Sequence, residues 1–124
     1  MVSDTRRKRL EDNVAREVAE ILHQGLKTPL PCLVTVVGVE LSRDGAEARI
    51  RYTVLGSDSD RALVARRLRQ VASYVQGEVS RRLRLRVTPA MRFEFDDVAG
   101  RGARVLELLA GLEDKNGPGA DDSD

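Results

Sequence analysis

The sequence predicts an α+β fold, a two-layer sandwich with helices on one face of a small mixed three-stranded sheet. Three observations carry that prediction. Apolar residues recur every three or four positions in two long stretches, the spacing of a buried helix face. Three shorter segments, rich in β-branched and aromatic residues, are bounded by turn residues. A tight turn joins the first two of these segments, whereas a long helical stretch separates the second from the third, so one connection is a hairpin and the other a crossover.

Leu10, Val14, Val18, Leu22 and Leu26 are the stripe of a first helix over residues 5–27, widened by Ala15, Ala19 and Ile21. Asp4 or Ser3 is placed to cap it. Thr28-Pro29-Leu30-Pro31 stops it, because a residue before proline avoids the helical region. Residues 33–41, apolar on both faces, predict a central strand with a bulge or close backbone approach at Gly38. Ser42-Arg43-Asp44-Gly45 is a hairpin turn. In the following strand Ala46, Ala48, Ile50, Tyr52 and Val54 point one way and Glu47, Arg49, Arg51 and Thr53 the other, so one sheet face packs and the other is wet.

Beyond the loop at residues 56–60, Val64, Leu68, Val71, Ala72, Val75, Val79 and Leu83 form a second helical stripe, with Arg66, Arg69, Gln70, Ser73 and Ser80 opposite. Weak helix formers between Ser73 and Gly77 predict a kink or break there, giving two helices in series. Residues 87–95 are the third strand, with Met91, Phe93 and Phe95 inward and Pro89 at a strand start or edge. Asp96-Asp97 open a closing helix with Val105, Leu108, Leu109 and Leu112 on its stripe. Residues 116–124 read as a disordered acidic tail, which leaves residues 1–115 as one domain.

The net charge of +1 conceals a segregation. Residues 61–92 hold nine arginines against Glu78 alone, a net +8, whereas residues 93–124 come to −6. A partner feels local charge within a Debye length of roughly 8 Å, so the near-neutral total misleads. Arg66, Arg67, Arg69, Arg81, Arg82, Arg84 and Arg86, with a second cluster at Arg6, Arg7, Lys8 and Arg9, are candidate phosphate contacts. The arginine fork matches phosphate bidentately and stacks on bases.

The same residues argue against catalysis and metal chemistry. With one His and one Cys, a Cys/His zinc site within the chain is excluded. Cys32 cannot form an internal disulfide. Adjacent Asp96 and Asp97 on a strand point to opposite faces and cannot converge as paired acids. Ser42, His23 and Asp44 supply hydrolase residue types, but no nucleophile-elbow pattern surrounds Ser42. Gly100-Arg101-Gly102 lacks the end of a phosphate loop. No cofactor, no membrane partner, no signal peptide and no enzymatic activity are expected, and a monomer is expected because no apolar stripe is left over.

The ordered segments carry a resemblance. Residues 34–44 (VTVVGVELSRD), 48–55 (ARIRYTVL), 82–86 (RLRLR) with Pro89, 93–96 (FEFD) and 102–109 (GARVLELL) resemble successive parts of the ribosome-binding factor A family. These are bacterial small-subunit assembly factors built on a type II KH-like domain. The resemblance implies the order α-β-β-α-kink-α-β plus a C-terminal helix. It also implies a non-catalytic, cytoplasmic RNA-binding protein whose partners are 16S rRNA and the free 30S ribosomal subunit, with roles in late 16S rRNA maturation and cold adaptation. The family marks its kink with Ala-x-Gly where other KH domains carry Gly-x-x-Gly. The matching positions are Ala72, Ser73 and Tyr74, so tyrosine stands in place of the glycine. Ser73 and Tyr74 thereby join the candidate RNA-binding residues, Tyr74 with a ring that can stack on a base. The competing reading is a protein-interaction adaptor with a basic face and an acidic tail.

Overall fold

A computed structural model describes residues 4–97. The elements are α1 (Asp4–Gln24), β1 (Val34–Leu41), β2 (Glu47–Val54), α2 (Asp58–Leu83) and β3 (Ala90–Phe95). The closing helix and the acidic tail expected after Val98 lie outside the described residues.

The hairpin forms where the turn chemistry places it. Gly45 takes φ +75°, a conformation open to glycine at no steric cost. The Ser42 hydroxyl and the Ala46 amide both donate to Asp44 Oδ1, and these bonds hold the Asp44 carboxyl below the usual carboxylate range, the backbone amide contributing most. β1 and β2 pair antiparallel, and β3 adds in parallel on the far side of β2, in the order β1-β2-β3. The central strand is therefore β2, and β1 is an edge, contrary to its apolar look. The hairpin occupies one side of β2 and the helical crossover delivers β3 to the other.

The expected irregularity at Gly38 is present: the pairing register slips between Val36 and Gly38. An extra residue reverses the alternation of a strand. Val34 and Val36 pack against the core before the slip, and Val39 and Leu41 do so after it. Val37 is left turned outward.

Both helices cover one face of the sheet, α1 over β1 and α2 over β3. Val14, Val18 and Ile21 meet Ala48, Ile50, Val64, Leu68, Val75 and Val79 in a fully enclosed core. Burying side chains of this kind contributes about 1.5–3 kcal/mol each. α1 ends at Gln24, three residues short of the expected end, and the Gly25 amide closes its last turn on Ile21 O. Asp4 is the first helical residue, an acidic group favourable at that dipole end.

α2 corrects the sequence reading more deeply. It is one uninterrupted helix of 26 residues, with no break at Ala72, Ser73 and Tyr74. Val71, Val75 and Val79 keep one phase against the core through the weak stretch, so tertiary packing overrides local propensity. Ser57 and Asp60 form a reciprocal capping box at its start. At its end Arg84 turns left-handed (φ 52°, ψ 48°), and the amides of Arg84 and Leu85 both close on Ser80 O. This reversal displaces the start of β3 from the expected residue 87 to Ala90. Phe93 and Phe95, expected inward, are only half-buried because β3 is an edge strand.

The two helices run antiparallel. Along α1, Glu17 meets Arg82, then the Gly25 carbonyl meets Tyr74, and Thr28 beyond the helix meets Arg67. The start of α1, the hairpin turn, the end of α2 and the start of β3 consequently share one end of the molecule, where Arg7 reaches Leu41 O and Ala90 N reaches Ala46 O.

Candidate nucleic-acid interface

The face of α2 opposite its core stripe presents Arg66, Arg69, Ser73 and Gly77, all exposed. Arg81, Arg84 and Arg86 continue the row onto the shared end, and all three are exposed. From Arg66 to Arg84 the row spans about 27 Å at 1.5 Å per residue. Among the described residues, Arg66, Arg69, Arg84 and Arg86 make no side-chain hydrogen bond or ion pair. Their guanidinium groups are available to an external anion. Between the two arginine groups lies a low saddle: a Cβ added at Gly77 would meet nothing within 4 Å, so the helix backbone there is open to close approach.

The remaining sequence-predicted residues divide by what they already hold. Arg82 turns toward α1 and is caged by carboxylates. Its Nη1 lies 2.8 Å from Glu20 Oε1 and 3.2 Å from Glu17 Oε1, and its Nε lies 3.4 Å from Glu78 Oε1. The Glu17 hydrogen bond and the charges of Glu20 and Glu17 raise its pKa further. Arg81 reaches Glu78 at 2.6 Å, and this bond chiefly lowers the Glu78 pKa. Arg67 donates to Thr28 O at 2.9 Å. In the N-terminal cluster, Arg7 donates to the carbonyls of Leu41, Ser42 and Arg43 and straps α1 to the hairpin. Lys8 stands 3.9 Å from Asp12, while Arg6 and Arg9 are exposed on the first turns. The structure thus brings Arg6, Lys8, Arg9, Arg84 and Arg86 to one end. It assigns Arg7 and Arg82 to holding elements together.

The outer face of the sheet is a lattice of opposite charges instead of a basic field. Arg49 lies 2.9 Å from Glu40 and 3.9 Å from Glu94, and Arg92 lies 3.5 Å from Glu47. Arg51 donates at 3.2 Å to Asp96, which is buried. Arg51 lies over Gly38, where an added Cβ would come within 2.8 Å of its Nη2. Asp96 is therefore bonded within the sheet. The closing helix that Asp96 and Asp97 were expected to cap lies outside the described residues.

The other chemistry-bearing residues take structural places. Ser42 and Asp44 bond one another within the exposed turn. Burial, with the charge of Asp60, pushes the Cys32 thiol pKa up, which disfavours the thiolate a nucleophile needs. His23 and Cys32 line one pocket of about 130 Å³. Among the described residues no cluster of three or more His, Cys, Asp or Glu side chains is placed to hold a metal ion, and no helix is long and apolar enough to cross a membrane.

Two features escaped the sequence reading. One is the open saddle at Gly77, visible only once α2 is known to be unbroken. The other is a cleft of about 500 Å³ between residues 24–28 and α2, lined in part by Lys27, Arg67 and Tyr74. Lys27 carried no signal, since its significance depends on a helix distant in sequence.

Comparison with known proteins bears on the family and the fold. Ribosome-binding factor A of Thioalkalivibrio sulfidiphilus is 39% identical over 122 residues, spanning 97% of this chain and 95% of that protein. That of Thermobifida fusca is 38% identical over 110 residues, spanning 89% of this chain and 73% of that protein. The solution structure of ribosome-binding factor A from Thermotoga maritima superposes with a TM-score of 0.63 at 28% identity, covering 76% of this chain and 90% of that one. The Thermus thermophilus factor, as fitted into the cryo-EM map of its complex with the 30S subunit, gives a TM-score of 0.58 at 28% identity, covering 70% and 91%. The family model described as ribosome-binding factor A matches residues 6–109, so it takes in α1, the whole sheet and the arginine-faced α2. By sequence over nearly its whole length, and by the fold that carries the arginine row, the chain belongs to the ribosome-binding factor A family.

Proposed function

We propose that this protein binds the free 30S ribosomal subunit in the cytoplasm and, as a monomer without catalytic activity, promotes late maturation of 16S rRNA. The observation that carries the reading is the row Arg66, Arg69, Arg84 and Arg86, exposed and without side-chain hydrogen bonds or ion pairs among the described residues. Arginine forks held on a rigid helix suit phosphate contacts, which set affinity and orientation on RNA without reading its sequence. The open backbone at Gly77 lets a phosphate chain lie close between the two groups. With three of the four aromatic rings in the chain packed together, base readout has little to work with, and the shape of the folded RNA sets specificity. The relative seen in complex with a 30S subunit supports the choice of partner.

Sedimentation of the purified protein with 30S, 50S and 70S fractions tests this. The expected result is selective travel with free 30S subunits, abolished when Arg66, Arg69, Arg84 and Arg86 are all changed to Ala. Equal travel with every fraction, or unchanged travel of the fourfold variant, would overturn the assignment of this face. If the maturation role holds, cells lacking the protein accumulate unprocessed 16S precursor, most strongly in the cold.

A further inference from the structure

We propose that the cleft between residues 24–28 and the middle of α2 receives one unpaired RNA base, stacked on the ring of Tyr74. The proposal rests on the RNA-binding reading above and adds a second, non-phosphate contact to it.

The aromatic inventory is short. The chain has two Tyr, two Phe and no Trp. Tyr52 makes edge contacts with Phe93 and Phe95 at 6.4 and 5.8 Å, and Arg61 covers the Phe95 ring at 4.9 Å. Those three rings are committed to one cluster. Tyr74 is the fourth, and it is 48% exposed on the wall of the cleft.

Its position is fixed. The Tyr74 hydroxyl donates to Gly25 O at 2.9 Å, which anchors the ring against the connection between α1 and β1. With the hydroxyl occupied, the ring has its π face left to offer. A pre-positioned ring loses little conformational freedom on binding, which favours stacking over an equally exposed but mobile side chain.

The surroundings fit a nucleotide. Val71 and Leu26 supply apolar wall, and Gln24 supplies an amide that both donates and accepts. Lys27 has no side-chain partner among the described residues, and Arg67 spends one nitrogen on Thr28 O. Two cations thus flank the ring at phosphate-binding positions, on the side of α2 that adjoins the arginine row. A volume of about 500 Å³ lies within the roughly 300–1,000 Å³ typical of small-molecule sites. A base in a continuous duplex cannot enter, because its faces are already stacked. The site therefore selects single-stranded or looped RNA.

Fluorescence anisotropy with a labelled single-stranded oligoadenylate decamer, beside a blunt duplex of similar length, tests the idea on wild type, Tyr74→Leu and Tyr74→Phe. Tyr74→Leu keeps apolar bulk and removes the π face. It is expected to weaken single-strand binding by roughly 5- to 150-fold, the equivalent of ~1–3 kcal/mol per stacked base. Duplex binding and the salt dependence are expected to stay as in wild type. Tyr74→Phe retains the ring and most of the affinity. Intrinsic tyrosine fluorescence of the wild type falls on decamer binding, since Tyr52 is buried and Tyr74 is not.

Equal single-strand affinity of Tyr74→Leu and wild type would overturn the stacking site, while weak binding by the fourfold arginine variant would leave the arginine face standing. Loss in Tyr74→Phe as large as in Tyr74→Leu would assign Tyr74 to strapping the loop through its hydroxyl, and would also overturn the stacking. Failure of the wild type to bind either RNA would remove this proposal together with the RNA reading beneath it.

Discussion

Arg84 holds a backbone conformation that glycine adopts freely and other L-residues rarely do, and it holds it at the end of α2 within the basic row. An arginine here costs stability that a glycine would spare, consistent with a side chain retained for contact. Arg84→Gly is expected to raise unfolding stability by about 1 kcal/mol while weakening 30S and RNA binding. Urea denaturation beside a binding titration reads both effects. Arg82 shows the reverse case. Removing it leaves Glu17, Glu20 and Glu78 facing one another, so Arg82→Ala is expected to cost more stability than Arg66→Ala, with little change in the salt dependence of RNA binding. The Glu78 pKa is lowered in the folded protein, so its contribution is complete above the ordinary carboxylate range and is lost as pH falls through the folded value. The largest cause of that lowering is the Arg81 hydrogen bond, so thermal melts from neutral to acid pH should show the Arg81→Ala deficit shrinking as pH falls below the ordinary carboxylate range.

At the scale of elements, α2 is the organising piece. Gly77 is weak in a helix interior, and a methyl group added there meets nothing within 4 Å. Gly77→Ala is therefore expected to stabilise the protein by about 1 kcal/mol. It also raises the floor of the saddle, so a modest loss of RNA affinity should accompany the gain in melting temperature. β1 illustrates how one extra residue changes an element. Its even-numbered valines face the core before the slip and its odd-numbered residues after it. A strand apolar on both faces is the linear trace of that reversal, and in the sequence it looks the same as burial in the centre of a sheet.

For the whole molecule, the relevant property is the distribution of charge. The outer sheet face neutralises itself in cross-strand pairs, and the α1–α2 contact neutralises Arg82. Among the described residues, a row of arginines without carboxylate partners thereby remains on the outward side of α2, at Arg66 and Arg69, and just beyond its end, at Arg84 and Arg86. Changing Arg66, Arg69, Arg84 and Arg86 to Ala should reduce the slope of log affinity for single-stranded RNA against log salt by roughly 3, at about 0.7 for each phosphate no longer neutralised. Titrations at several salt concentrations measure this directly, and an unchanged slope would mean that the phosphates are held elsewhere.

The sequence by itself determined the order of the described elements apart from the expected division of α2, the hairpin at Asp44-Gly45, the alternation of β2, the irregularity at Gly38 and the concentration of arginine between residues 61 and 92. Each is written in short-range patterns: a period of two or nearly four, a turn pair, a run of like residues. Helical periodicity also puts Arg82 near the line of Val75, the phase that turns it toward α1. Only the tertiary structure decided that β2 is the central strand, because sheet order depends on where the crossover returns. Only it carried α2 unbroken past Ser73 and Gly77, because the core contacts of Val71, Val75 and Val79 outweigh local propensity. And only it sorted the arginines, since whether a guanidinium faces water or a carboxylate such as Glu17 depends on residues some sixty positions away that no local pattern records.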